Sequence, residues 1–159
     1  MARGKFNCFL EAQRNLDGHY ISEIRDVSPF EIDWISGCMT LVPKITFESS
    51  GGYYEGYFIW SDEWDFSLRV KESGKSMLVV PQSVIYHKVG KVLGILKSLS
   101  YYYSTRNRLL LKKKHLPWHL RMLFFLWFAP TRLIRYSQVF LQGRFDLVHA
   151  GLCAIKDYF

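Results

Sequence analysis

The densest run of reactive side chains in this 159-residue sequence is Trp60-Ser61-Asp62-Glu63-Trp64-Asp65-Phe66-Ser67-Leu68-Arg69, where three carboxylates fall within four residues among aromatics. Two chemistries fit that spacing. Acids in the first turn of a helix complement its dipole, by about 0.3–1 kcal/mol each. Alternatively one carboxylate, partly desolvated by Trp60 and Trp64, serves as a general base. A second candidate is His87, which ends an extended segment beside Lys88. Imidazole is a common metal ligand, but no HExxH or paired-histidine spacing accompanies it, and a lone histidine is as readily structural. A third is Arg106-Asn107-Arg108, because an arginine fork matches phosphate oxygens; helix-surface charge is the alternative. No P-loop, GxGxxG or GxSxG occurs. Cys38 follows Gly37 with nothing to tie it to a base, and reads as buried. Three cysteines without a CxxC pair fit neither a disulfide framework nor a zinc site, which points to reduced thiols in a cytosolic setting.

These residues sit in a chain of about one domain, at roughly 150 residues per domain. With 49% apolar and 22% charged residues it can bury a core, which excludes disorder as its main state. No amino-terminal apolar run resembles a signal peptide. The net charge of +7 is unevenly spread. Residues 1–72 carry 12 acids and 7 bases, whereas residues 73–143 contain no Asp or Glu. A one-sided basic field implies an anionic partner, whether nucleic acid, a phosphorylated substrate or a membrane surface. Lys112, Lys113 and Lys114 precede Trp118 and the apolar run Met122-Leu123-Phe124-Phe125-Leu126-Trp127-Phe128-Ala129, bracketed by Arg121, Arg132 and Arg135. That run is far short of the roughly 20 residues a spanning helix needs. A short Trp- and Phe-rich run framed by cations suits a helix lying in the interface of an anionic membrane; a buried helix is the plainer reading. No RNP, zinc-finger or clear helix-turn-helix pattern supports nucleic acid, which is not expected as a partner.

The positioning elements follow from turn and breaker signals. Ile32–Ser36 alternates like a strand until Gly37. Pro43 opens a short helix that ends near Gly51-Gly52. Ser61 reads as the N-cap of a helix that stops at Gly74. Met77–Pro81 is a short strand and Val84–His87 a second extended segment, with a loop at Gly90 and Gly94. From Leu93 the spacing turns helical, with Leu96, Leu99, Tyr103 and Leu110 on one stripe and Arg106 beside them. Two further helices are expected at about 117–142 and 145–157, with Pro130 kinking or ending the first. The plan is α/β up to about residue 91, then a basic, amphipathic helical region over 92–159.

Taken in order, Asp33-Trp34-Ile35-Ser36-Gly37-Cys38-Met39, Gly51-Gly52-Tyr53-Tyr54-Glu55, the Phe58–Arg69 run, Gly74, Val80-Pro81, Val84–Lys88 and Tyr103 with Arg106-Asn107-Arg108 resemble the acceptor-side half of family 2 glycosyltransferases, in their rhamnosyltransferase-like branch. The resemblance covers about residues 30–115, and the helical tail resembles the membrane-associated end of those enzymes less specifically. It implies part of a GT-A fold over residues 1–91 and an inverting transfer from a nucleotide-sugar donor to a saccharide or lipid-linked acceptor, in cell-surface polysaccharide synthesis. Glu63 is the catalytic base by position, with Asp62 its rival because the pair here reads Asp-Glu where Glu-Asp is commoner. By the same resemblance Asp33, Trp34, Gly37, Trp60, Asp65 and Arg69 surround the acceptor. Arg106 and Asn107 meet a diphosphate, and His87 contacts a metal or the diphosphate.

The resemblance also implies a divalent cation, Mg or Mn, yet the chain has no DxD motif. Only about 30 residues precede Asp33, fewer than the βαβ units of a nucleotide-binding half require at roughly 30 residues each. The expectation is a truncated or split transferase at the cytoplasmic face of a membrane, completed by a chain that supplies the missing half. The alternative is a remnant, or a non-catalytic peripheral membrane protein.

Overall fold

The structure, a computed structural model, describes residues 28–83, Ile85 and residues 97–159. Most of the expected Val84–His87 segment, with His87 itself, and the loop at Gly90 and Gly94 lie outside the described residues, as does Cys8. The described chain is mostly helical with one small antiparallel sheet, a mixed α/β content. In order it forms β1 (Phe30–Ile32), α1 (Lys44–Ser49), a 3₁₀ turn (Glu55–Tyr57), α2 (Asp62–Glu72), β2 (Met77–Val79), α3 (Lys97–His115), α4 (Trp118–Leu141) and α5 (Phe145–Lys156). The described residues divide into two compact units, one of residues 28–54 and 63–83, the other of residues 55–62 and 97–159. The sequence drew a single boundary at residue 91; in the structure the segment 55–62 groups with the helices.

In the first unit β1 and β2 pair with Phe30 opposite Val79 and Ile32 opposite Met77. The ladder therefore ends where the expected Ile32–Ser36 strand was to begin. Phe66 and Val70, one turn apart on α2, close over Met77, with Ile32, Ile35 and Val42 packed around them. Pro43 stands at the N-cap of α1, its ring-fixed φ of −58° ready for the helix. The stop of α2 also falls where turn chemistry puts it. Gly74 takes φ 76°, its N–H reaches Lys71 O and the Lys75 N–H reaches Val70 O, a Schellman ending. Ser61 precedes α2 but holds φ 71°, left-handed rather than the extended backbone an N-cap usually has.

In the second unit α3 and α4 both pack against α5. Gly151 makes one of these approaches possible, since a Cβ there would lie 2.6 Å from the Tyr136 hydroxyl oxygen. The buried side chains of α3 are Thr105, Asn107, Leu109 and Leu111. The expected stripe is thus displaced, for Leu99 is exposed and Tyr103 and Leu110 are only half-buried. Pro130 neither ends nor interrupts α4, which runs from Trp118 to Leu141. A proline removes one backbone donor, and packing of Phe128, Tyr136 and Val139 on either side of it carries the helix through. No described helix is long and apolar enough to cross a membrane.

Candidate active site at the start of α2

The first turn of α2 is built against the segment that follows β1. Ser67, one turn below Glu63, donates its hydroxyl to Glu63 O at 2.6 Å and accepts the Ile35 N–H at 3.1 Å. This bridge lays residues 35–37 along the helix. Trp34 stacks obliquely on Trp64, ring centroids 4.9 Å apart. The Gly37 N–H then points at the Glu63 carboxylate and donates to Oε1 at 3.2 Å. Glycine is required by this approach, because a Cβ at position 37 would stand 2.6 Å from Oε1. The result is a half-buried carboxylate oriented by a backbone donor. Asp62 is half-buried as well, and among the described residues nothing orients its carboxylate in this way.

One turn further, Asp65 is fully buried and paired with Arg69, whose Nε and Nη2 both reach Oδ2, at 2.9 and 2.8 Å. The same guanidinium donates through Nη1 to Ser50 O and through Nη2 to Gly52 O, the latter at 2.6 Å. Asp65 and Arg69 were expected among the acceptor contacts. Here the carboxylate has no exposed surface and the arginine is committed to it and to two carbonyls, so the pair fixes the Gly51-Gly52 turn on α2. Asp33 is half exposed and ion-paired with Lys71. Cys38, read as buried, is exposed, with its sulfur 2.9 Å from the Ser36 hydroxyl.

In the other unit Arg106 and Asn107 grip the segment that leads to Asp62. The Asn107 amide nitrogen, fully buried, donates to the carbonyls of Tyr57, Ile59 and Trp60 at 2.8, 2.6 and 2.9 Å, and its oxygen accepts from Arg106 Nε at 3.0 Å. Arg106 donates onward to Gly56 O and lies 4.9 Å over the Tyr103 ring. The gripped segment is strained. Phe58, Trp60 and Ser61 hold φ of 61, 68 and 71°, a region that costs side-chain-bearing residues about 1–3 kcal/mol each and that clusters at functional sites. Asn107 was expected to bind diphosphate, yet its donors are fully occupied by the loop. In the structure it holds the backbone of residues 57–60. Trp60 remains exposed at the end of that loop.

Sequence reasoning missed Ser67 and the clamp by Asn107. The first left a trace, a serine inside a helix one turn after Glu63, where a hydroxyl can bond the carbonyl four residues back. The second left none, since its partners lie about 50 residues away. Among the described residues no group of three or more His, Cys, Asp and Glu side chains is assembled to hold a metal ion. Asp65 is neutralised by Arg69 and Glu63 faces an N–H, so α2 offers no cradle for the implied cation. Comparison with protein-family models, curated proteins and solved structures finds no match.

Proposed function

We propose that this chain forms the acceptor side of an inverting, nucleotide-sugar-dependent glycosyltransferase of the GT-A kind, with Glu63 as its base. The observation that carries the proposal is the Gly37–Glu63 contact. It holds the Glu63 carboxylate in a fixed orientation through a backbone N–H, as a general base requires. In the reaction, Glu63 takes the proton of the acceptor hydroxyl as that oxygen forms a bond to the anomeric carbon of the donor sugar. The bond from that carbon to the nucleoside diphosphate breaks on the opposite face, the leaving group keeps the electron pair, and the anomeric configuration inverts. Trp64, exposed beside Glu63 on α2, is the aromatic surface offered to a saccharide, which stacks on such rings through its apolar face. The divalent cation belongs with a DxD-bearing nucleotide half, and the step assigned to Glu63 does not involve it.

Asp62 is the competing base. An oriented carboxylate holds its reacting geometry before the substrate arrives, which favours Glu63. The test is incorporation of labelled sugar from a panel of nucleotide sugars into saccharide and lipid-linked acceptors, by this chain co-expressed with the coding sequence upstream of it. Loss of a general base lowers turnover by about 10²–10⁴-fold. That loss is expected for Glu63→Gln, with much less for Asp62→Asn. The reverse ranking would move the base to Asp62. Transfer unchanged by both, or absent with every donor, would overturn the reading.

A further inference from the structure

We propose that α4 lies in the interface of an anionic lipid bilayer and inserts Met122, Leu123, Leu126, Leu133, Ile134 and Leu141 among the acyl chains. These six large apolar side chains are between 55 and 85% exposed. At 3.6 residues per turn they occupy the side of the helix opposite Phe128, Tyr136 and Val139, which are buried against the rest of the unit. The helix is therefore apolar on its outer side as well as its inner one, which a water-facing helix is not. Because α4 passes through Pro130, this face runs from Met122 to Leu141 of the 24-residue helix, about 30 Å at 1.5 Å per residue. The sequence alone offered a run of eight.

The charge around that face selects the occupant. Lys112, Lys113 and Lys114 precede the helix and no acid occurs between Lys97 and Gly143, whereas Arg144, which follows it, is paired with Asp146. Two acids come later: Asp146, paired with Arg144, also accepts from Ser98, and Asp157 accepts from Tyr102, both hydroxyls on α3. Arg132 folds back over the Phe128 ring, 5.1 Å from its centroid, on the inner side of α4 and away from the apolar face. Trp118 and Trp127 are exposed, and tryptophan favours the headgroup level of a bilayer. A second copy of this chain would bring the same positive field to the contact and be repelled by it. A bilayer rich in anionic lipid supplies both an apolar interior and negative headgroups. With no spanning helix among the described residues, the mode is in-plane rather than transmembrane.

The inference does not depend on the transfer reading, and its test does not use activity. The full chain is mixed with vesicles of equal parts phosphatidylcholine and phosphatidylglycerol, and bound protein is separated by flotation. Partitioning should fall by at least about tenfold on pure phosphatidylcholine, and again at high salt, because the cations drive half of the attraction. The double variant Leu126→Glu and Leu133→Glu should lose binding by a similar factor while its circular dichroism stays native, since both side chains are exposed in the free protein. Lipids brominated near the headgroup should quench the wild-type tryptophan fluorescence. Binding that ignores both lipid charge and the double substitution overturns the proposal. So does a concentration-dependent dimer that the same substitutions abolish, which would assign the face to a second copy.

Discussion

In the unit that carries Glu63, the buried apolar set is Phe66, Val70 and Met77, and the geometry comes mainly from polar ties: Ser67 to residues 35 and 63, Arg69 to Asp65, Ser50 and Gly52, and Gly37 to Glu63. In the helical unit Leu109, Phe128, Val139 and Ala154 are buried, while large apolar side chains such as Leu126, Leu133 and Leu141 are exposed on α4. One region uses few hydrophobic contacts and directs its polar atoms inward. The other gathers exposed apolar side chains along one face of a single helix. Hydrogen bonds fix atoms to within a few tenths of an ångström, which a reacting carboxylate needs, whereas a broad apolar face suits a partner that requires no register. The two proposals therefore rest on different kinds of contact.

Removing the tie with the highest charge should break the contrast most. Arg69→Met leaves the Asp65 carboxylate buried without a counter-charge and frees two carbonyls. A loss of about 3–5 kcal/mol is expected, read by urea unfolding through Trp34 and Trp64 fluorescence. A loss below about 1 kcal/mol, the range of exposed pairs, would mean that apolar contacts hold this unit after all. Asn107→Ala should cost the helical unit about 2–4 kcal/mol, since three carbonyls lose their donor and the left-handed loop loses its clamp. Asn107→Asp sharpens the point. It presents an acceptor to three acceptors, so a variant as stable as wild type would show that donation by the amide is not what holds the loop.

Gly151→Ala tests the apolar packing. Its Cβ would overlap Tyr136, and overpacking of this kind costs about 1–3 kcal/mol by thermal unfolding, with no change at the Glu63 side. The smallest effect is electrostatic. Hydrogen bonds from Arg144 and then Ser98 hold the Asp146 carboxyl down from 3.8 to about 2. A carboxyl depressed in the folded state adds stability that is complete above its unfolded value and disappears as pH falls through the folded one. Wild type should therefore exceed Asp146→Asn slightly at neutral pH and converge with it between about pH 4 and 2. A gap that widens in acid would remove Asp146 from the α3–α5 attachment.

Punctuation was legible in the sequence and partnership was not. Pro43 and Gly74 set helix ends through their own backbone preferences, so α1 and α2 fall close to where the sequence puts them, and α4 and α5 match the helices expected at about 117–142 and 145–157. Residues 33–36 alternate like a strand yet lie beyond the ladder, because Ser67 and Glu63 claim their backbone. The buried face of α3 follows its two neighbours, α5 and the 57–60 loop, and one of those is reached by a polar residue that no hydrophobic spacing marks. Burial of Asp65 and the commitment of Arg69 and Asn107 were equally invisible, since each depends on carbonyls distant in sequence. Of the expected site, the Gly37–Glu63 pairing is what the structure brings together.

Gly37→Ala therefore gives the most direct test, made as steady-state kinetics of the proposed transfer with one sugar acceptor. The added methyl group displaces the Glu63 carboxylate while leaving the aromatic surface alone. Since a misplacement of about 1 Å can cost on the order of 100-fold, kcat should fall by at least about tenfold with KM nearly unchanged. An unaltered kcat, with the variant folded, would contradict the assignment of the oriented Glu63 carboxylate as the group that takes the proton.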